Sequence, residues 1–321
     1  MESSVARLAG VGGRESRRQA YTDVFTASCQ ASYRTLNKAH SSRTLFIKKS
    51  LDGNSVMNKM MVLLSLVFCV ASATAETSAM RQAIDGAHRS AENKARDAYR
   101  HPEQTLSFFD VDESMTVVEI WPGAGWYTEI LAPYLKNKGK LYAAHFSKDA
   151  KVPYFQKTLQ AFVDKMRQQP EVYGKVELTV LQPPEAVEIA PEGSVDRVLT
   201  FRNVHNWIKA GQADAIFAAM YKALKPGGVL GVVEHRSLPG AAIETQVQSG
   251  YVDESHVIEL AEKAGFKLLD RSEINANPKD AKGHPAGVWT LPPTLRLNEK
   301  DRAKYLTIGE SDRMTLKFVK P

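Results

Sequence analysis

Histidines placed just beyond apolar runs are the side chains here best suited to move protons near neutral pH. In "FRNVHNW", Phe201 to Trp207, His205 stands four residues after the apolar run that ends at Phe201. An imidazole there titrates in the range where a hydroxyl or amine nucleophile needs a general base. His235 and Arg236 close a second apolar run, "VLGVVEHR", and form a second pair of candidates. Asp253, Glu254 and His256 have the spacing of metal ligands. They also open the helical pattern "ESHVIELAEKAG", where an Asp and a Glu act as cap and first-turn acid, so no metal is predicted.

The other chemistry-bearing stretch is "VVEIWPGAGWYTEIL", Val117 to Leu131. An apolar strand pattern carries Glu119, breaks at Gly123-Ala124-Gly125, and resumes with helical spacing. A backbone can approach a ligand closely only where side chains are missing, so Gly123 and Gly125 mark a ligand loop. Pro122 is expected to hold Trp121 extended, with the strand running through the tryptophan. Glu119, two residues earlier, would then share its strand face. The dinucleotide fingerprint G-x-G-x-x-G is not met, because Trp126, Tyr127 and Thr128 follow Gly125 without a third glycine. The next apolar run, "KLYAAHF", ends in His145-Phe146 with no acidic ribose ligand. The loop also lacks the Lys-Ser/Thr of a P-loop. A nucleoside bearing an amino-acid tail fits this short loop better than a pyrophosphate.

The elements that must hold these residues alternate along the chain. Strands are expected at Thr116–Trp121, Lys140–Phe146, Val176–Leu181, Val195–Phe201, Val229–His235, Phe266–Ile274 and Thr315–Val319. Helices are expected at Tyr127–Lys136, Pro153–Gln169, Ala213–Leu224 and Ser255–Ala264. Apolar strands alternating with helices predict an α/β fold, a doubly wound, Rossmann-like sheet of about seven strands. The last two strands have no crossover helix between them, only a Pro-rich loop and a short charged helix, so the last strand should run antiparallel. Ligands in such sheets sit beyond the carboxyl ends of the strands, where Glu119, the glycine loop and His205 all fall. Thr77–Tyr99 reads as a charged surface helix, and "EQTLSFFDV" leads into the first strand.

The formal charge of +6 is misleading. Residues 1–56 hold nine Lys/Arg against four Asp/Glu and Lys59 adds one more, which leaves residues 76–321 neutral. A neutral body without a basic stripe argues against a nucleic-acid partner. Both cysteines, Cys29 and Cys69, precede residue 76, so the body holds no disulfide and no thiolate. Residues 57–75 read as a secretory signal, with Lys59, the apolar run Met60 to Val70 and the small-x-small site Ala73-Thr74-Ala75. The reading predicts export, to a periplasm, with cleavage after Ala75 and no stable membrane insertion afterwards. Residues 1–56 are read either as upstream sequence ahead of that signal or as a disordered or targeting arm. The body divides into a helical segment, 76–110, and an α/β domain, 111–321.

Four motifs then occur in order: "VVEIWPGAGW", "EGSVDRVLTFRNVHNW", "LKPGGVLGVVEHR" and "AEKAGFKLLDRSE". Over about Arg81 to Pro321 the chain resembles the class I S-adenosylmethionine-dependent methyltransferases, and among them a bacterial group made with a signal peptide. The resemblance implies S-adenosylmethionine as cofactor and methyl transfer by in-line displacement to a small-molecule acceptor. It implies that Glu119, Gly123 and Gly125 meet the cofactor's amino-acid tail, that His145 or Ser147 stands near the ribose, and that Arg202 and Asn203 line the floor beneath the methyl group. Trp121, Trp126 and Tyr127 could face the sulfonium through cation–π attraction, or could simply cover the loop as packing. A catalytically inactive, exported binding protein of the same fold is the alternative, motivated by the signal and the absent ribose carboxylate.

Overall fold

The computed structural model describes residues 78–321. The expectations for residues 1–56, the signal at 57–75 and its cleavage site lie outside them. Seven strands form one sheet: β1 (Thr116–Ile120), β2 (Lys140–His145), β3 (Glu177–Val180), β4 (Val195–Phe201), β5 (Leu224–His235), β6 (Lys267–Ser272) and β7 (Arg313–Val319). Their order is β3-β2-β1-β4-β5-β7-β6. The neighbours β3, β2, β1, β4 and β5 pair in parallel. β7 is antiparallel to both β5 and β6, which leaves β6 running with the parallel set. The order reverses beside β1, so the crevice between the carboxyl ends of β1 and β4 is the switch point of the sheet.

The helices follow the apolar periodicity. They are α1 (Ala79–Asp85), α2 (Ala91–Ala95), α3 (Asp97–Arg100), α4 (Pro102–Phe108), α5 (Thr128–Leu135), α6 (Pro153–Gln168), α7 (Pro170–Tyr173), α8 (Val204–Lys209), α9 (Ala213–Ala223), α10 (Ile243–Ser249), α11 (Glu254–Lys263) and α12 (Arg302–Ile308). Each sheet face is closed by its own apolar cluster, one around Trp121, Trp207 and Phe217, the other around Phe109, Tyr127 and Ile130. Asp253 caps α11, its carboxylate accepting from Ser255 N, which is the capping role the sequence suggested. Among the described residues no helix is long and apolar enough to cross a membrane.

Four features depart from expectation. Where one helix was expected over Thr77–Tyr99, the described residues form three, because Gly86 is extended and Ser90 starts a new helix by capping it. This segment is also no mere surface: Met80, Ala83 and Ile84 are buried, and Arg89 pairs with Asp97 at 2.7 Å. "EQTLSFF" is helical, with Pro102 at its first turn, where a missing N–H costs nothing. Three short helices, α7, α8 and α10, were not anticipated. The fourth departure is Trp121, where the strand stops one residue earlier than expected. Its φ is +43°, left-handed rather than extended. The backbone N–H still donates to Ala144 O at 2.8 Å. The side chain, however, turns to the face of Val118 and Ile120 and not to that of Glu119. Tertiary packing explains this. The indole donates to Leu181 O at 3.0 Å and packs on Phe146, Phe155 and Trp207, outweighing the local preference before proline.

Candidate active site

A cavity of about 600 Å³ opens at the switch point, above the carboxyl ends of β1, β4 and β5. Of the residues singled out from the sequence, Glu119, Trp121, Gly123, Trp126, Tyr127, Arg202, Asn203 and His205 line it. Gly125 and His145 do not. His235 also lines it, whereas Arg236 points elsewhere, into Glu273 and Asp312.

The loop half is built around Glu119. Its carboxylate lies at the end of β1, 2% exposed, and Thr128 Oγ1 donates to Oε2 at 2.6 Å. Burial pushes its pKa up to about 7, against the opposing Thr128 hydrogen bond and the charge of Lys165. Gly123 has φ +61°, and a Cβ there would meet nothing within 4 Å, so the backbone is bare toward open space. Gly125 has φ +83° and would press a Cβ onto the Phe162 ring at 3.2 Å, so it serves packing behind the loop. Asn203 spans the two strands, its amide donating to Ile120 O at 2.9 Å.

His145 is consumed by the fold. Its Nε2 meets Gly123 O at 3.0 Å and its Nδ1 accepts from Phe146 N at 2.8 Å, which fixes a neutral ring with the proton on Nε2. Burial lowers its pKa to about 4. It braces the glycine loop from beneath and leaves no nitrogen for a ligand. The aromatic residues likewise have partners. Tyr127 stacks on Phe201 with centroids 3.5 Å apart, and Trp126 lies beneath the guanidiniums of Arg100 and Arg89 at 4.5 and 5.0 Å.

Across the cavity stands a carboxylate–histidine pair that the sequence showed only by halves. α8 begins directly after β4 and carries His205 back over the end of β5. Its Nδ1 lies 3.0 Å from Glu234 Oε1, and its backbone N donates to Oε2 at 3.3 Å. Glu234 is fully buried and also accepts from His235 N at 2.7 Å. A carboxylate can only accept, so His205 carries its proton on Nδ1 and holds Nε2 as a free lone pair. The carboxylate thereby fixes the tautomer and the orientation of the imidazole. His235 contacts Ser311 Oγ at 2.5 Å, and burial, then His205 and the nearby guanidiniums, depress its pKa well below the usual range. His205, Glu234 and His235 bring potential ligand atoms within 4.8 Å of one another, the one such metal-capable group among the described residues. Asp253, Glu254 and His256, whose spacing alone resembled that of metal ligands, are not part of it.

The remaining wall is cationic. Arg96 and Arg100, from α2–α3, and Arg202, from the end of β4, line the cavity with Glu310. Glu310 takes Arg96 Nε at 2.6 Å, Arg100 Nε at 3.2 Å and Arg313 Nη2 at 2.6 Å. Burial raises the Glu310 carboxyl, but Arg100, Arg313, Arg202 and Arg96 together outweigh it and hold it well below the usual range. Nothing in the sequence announced this cluster, because Glu310 lies 214 and 210 positions from Arg96 and Arg100.

The nucleoside fit can be tested on these residues. Glu119 offers a carboxylate for an ammonium, and Gly123 offers bare backbone for a tail. At the end of β2 there is no carboxylate for a ribose, and Trp121 and Tyr154 supply flat wall instead. The donor set fits the amino-acid end of S-adenosylmethionine through named groups and its nucleoside end through aromatic surface.

No family model matches the chain, and no curated protein matches it. Solved structures of similar fold include a SAM-dependent methyltransferase from Aquifex aeolicus, at 17% identity and a TM-score of 0.48, covering 71% of this chain and 93% of that one. The [4+2]-cyclase SpnF is similar at 16% identity and 0.49, covering 74% and 85%. Haemonchus contortus phosphoethanolamine N-methyltransferase 2, in complex with S-adenosyl-L-methionine, is similar at 15% identity and 0.46, covering 76% and 60%.

Proposed function

We propose that this chain is an S-adenosylmethionine-dependent methyltransferase acting on a small-molecule acceptor. The observation that carries the reading is one cavity at the sheet's switch point holding both the bare Gly123 backbone beside Glu119 and the oriented His205–Glu234 pair opposite. S-adenosylmethionine bound there supplies a methyl group on a sulfonium, open to in-line displacement by an acceptor's nucleophile.

The chain's own residues do the rest. Glu119 binds the ammonium of the tail, and that charge draws its carboxyl back to the ionised form. Gly123 admits the tail by having no side chain. Asn203 fixes the ends of β1 and β4 relative to each other, and alignment of reactants is worth ~7–11 kcal/mol in such sites. His205 Nε2 takes the proton from an acceptor hydroxyl or amine, while Glu234 keeps the imidazole in the required tautomer. Trp121 and Tyr154 wall the cofactor side, and Trp289, edge-on to His205 at 6.0 Å, walls the acceptor side.

Isothermal titration of the full chain with S-adenosylhomocysteine tests the reading. Saturable one-to-one binding supports it, and no heat at millimolar ligand removes it. A second reading, a binding protein of the same fold without turnover, is favoured by His145, whose two nitrogens are both spent inside the protein. It predicts that S-adenosylhomocysteine binds while His205→Gln changes nothing measurable. Export to a periplasm stays part of the proposal; N-terminal sequencing of the mature protein from its host, starting at Glu76, tests it.

A further inference from the structure

The charge balance of the cavity wall points to the acceptor. Four guanidiniums, those of Arg96, Arg100, Arg202 and Arg313, surround one carboxylate, Glu310. Arg100 is 1% exposed, yet its Nη1 and Nη2 have no hydrogen-bond partner, and neither does Arg96 Nη2. Arg202 makes no side-chain hydrogen bond or ion pair among the described residues, although its backbone N donates to Val233 O at 2.7 Å. It also sits at φ +64°, a conformation that a long side chain adopts only under constraint and that gathers at ligand sites. The cavity's other carboxylate, Glu119, faces Thr128 on the loop side, and Glu234 behind the wall is spent on His205 and two backbone amides. Buried guanidinium N–H groups left without an acceptor are costly, and an anionic ligand would supply acceptors to the free donors of Arg100 and Arg96.

The cofactor can complete only part of them. Its tail brings a single carboxylate, while its ammonium and sulfonium bring two positive charges, of which Glu119 balances one. The missing negative charge therefore has to arrive with the second substrate. Resting on the methyltransferase reading, we propose that the acceptor is a small molecule bearing a doubly charged acidic group, a phosphate monoester or a pair of carboxylates, bound by Arg100, Arg96 and Arg202. Planar guanidiniums suit either chemistry, since each presents paired N–H donors to paired oxygens. The same wall places the acceptor's far end beside His205, so the acid group serves as the handle and the nucleophile lies beyond it.

The test uses the full chain, with inorganic phosphate and malonate as probes, each titrated in the presence and absence of S-adenosylhomocysteine at constant ionic strength. The variants are Arg202→Met, Arg100→Met and the conservative Arg202→Lys. Saturable binding of phosphate or malonate is expected, and whichever probe binds tighter identifies the acid group. Both Met variants should weaken it at least ~10-fold, about one charge-assisted hydrogen bond, and Arg202→Lys should recover part of the loss. S-adenosylhomocysteine affinity should change by less than about threefold. Arg202→Met should melt close to the wild type, because the half-buried Arg202 side chain makes no hydrogen bond or ion pair among the described residues and only its longer-range attraction to Glu310 is lost. The proposal is overturned if neither anion binds, or if the Met variants weaken S-adenosylhomocysteine and spare the anion, which would make the arginines the cofactor's carboxylate site. A melting temperature that falls with Arg202→Met while anion binding is unchanged also overturns it. Anion binding lost in the Met variants without any binding of S-adenosylhomocysteine would uphold the anion site and remove the methyltransferase reading, and with it the acceptor assignment.

Discussion

Replacing Glu119 by glutamine probes the loop through stability alone, before any substrate is known. The carboxyl's pKa is raised by burial from 4.5 to about 7. A carboxyl raised in this way contributes stability that is complete below its unfolded pKa and is lost as pH rises through the folded one. Glu119 therefore weakens the fold progressively from about pH 4.5 to about pH 7, by about 3 kcal/mol in all. His145 works in the opposite sense. Its pKa is lowered by burial from 6.5 to about 4. Its contribution is complete above about pH 6.5 and is lost as pH falls toward about pH 4. In the wild type the two slopes oppose each other over their shared window, and the stability curve hides both. Glutamine mimics the protonated acid and still accepts from Thr128, so Glu119→Gln removes one slope and leaves the other. Urea unfolding of both proteins between about pH 4.5 and about pH 7.5 should show the variant gaining on the wild type by about 1.4 kcal/mol per pH unit, to a plateau of about 3 kcal/mol. A difference that stays flat across this range would refute the reasoning, since it would mean that Glu119 is already ionised in the folded protein. Bound S-adenosylhomocysteine should release a proton near pH 6 as its ammonium ionises Glu119, seen as buffer-dependent heats of binding.

Further expectations concern the other walls of the cavity. Once an acceptor turns over, His205→Gln should lower kcat by ~10²–10⁴ with S-adenosylhomocysteine affinity unchanged, and Glu234→Gln should lower it too through the tautomer; equal losses of binding and turnover would argue against a base. Trp121→Ala should cost ~3–5 kcal/mol of stability by urea unfolding, because the indole fills an aromatic cluster; a loss below about 1 kcal/mol would mean the ring is not core. Gly123→Ala should cost only ~1–2 kcal/mol, the price of a side chain at positive φ. Gly125→Ala should cost more in the same melts, since its Cβ would meet Phe162 at 3.2 Å.

How much of this was legible in the sequence depended on whether the determinants were local. The seven strands and the antiparallel end came from runs of apolar residues and a missing crossover, both local signals, and their bounds moved by a residue or two. β5 alone gained a longer start, where Lys225-Pro226-Gly227-Gly228 turns into the strand with Gly227 at φ +76°. His205 was legible because a histidine just past a strand end must fall on the ligand side. Its partner was not, although Glu234 stood in plain view beside His235. Only the path of α8 over β5 brings the two together. Trp121 shows the limit of a backbone rule: proline after it argued for extension, and an aromatic cluster of Phe146 just past β2, Phe155 on α6 and Trp207 on α8 decided otherwise. The arginine wall was invisible for the same reason on a larger scale, since Arg100 and Glu310 meet across 210 positions of chain.

The measurement that bears most directly on the central claim is a crystal structure of the full chain with S-adenosylhomocysteine. The account predicts density in the cavity between β1 and β4, with the ammonium hydrogen-bonded to Glu119 and the tail lying against the bare backbone of Gly123. Density at any other place, or an empty cavity at saturating ligand, would contradict it.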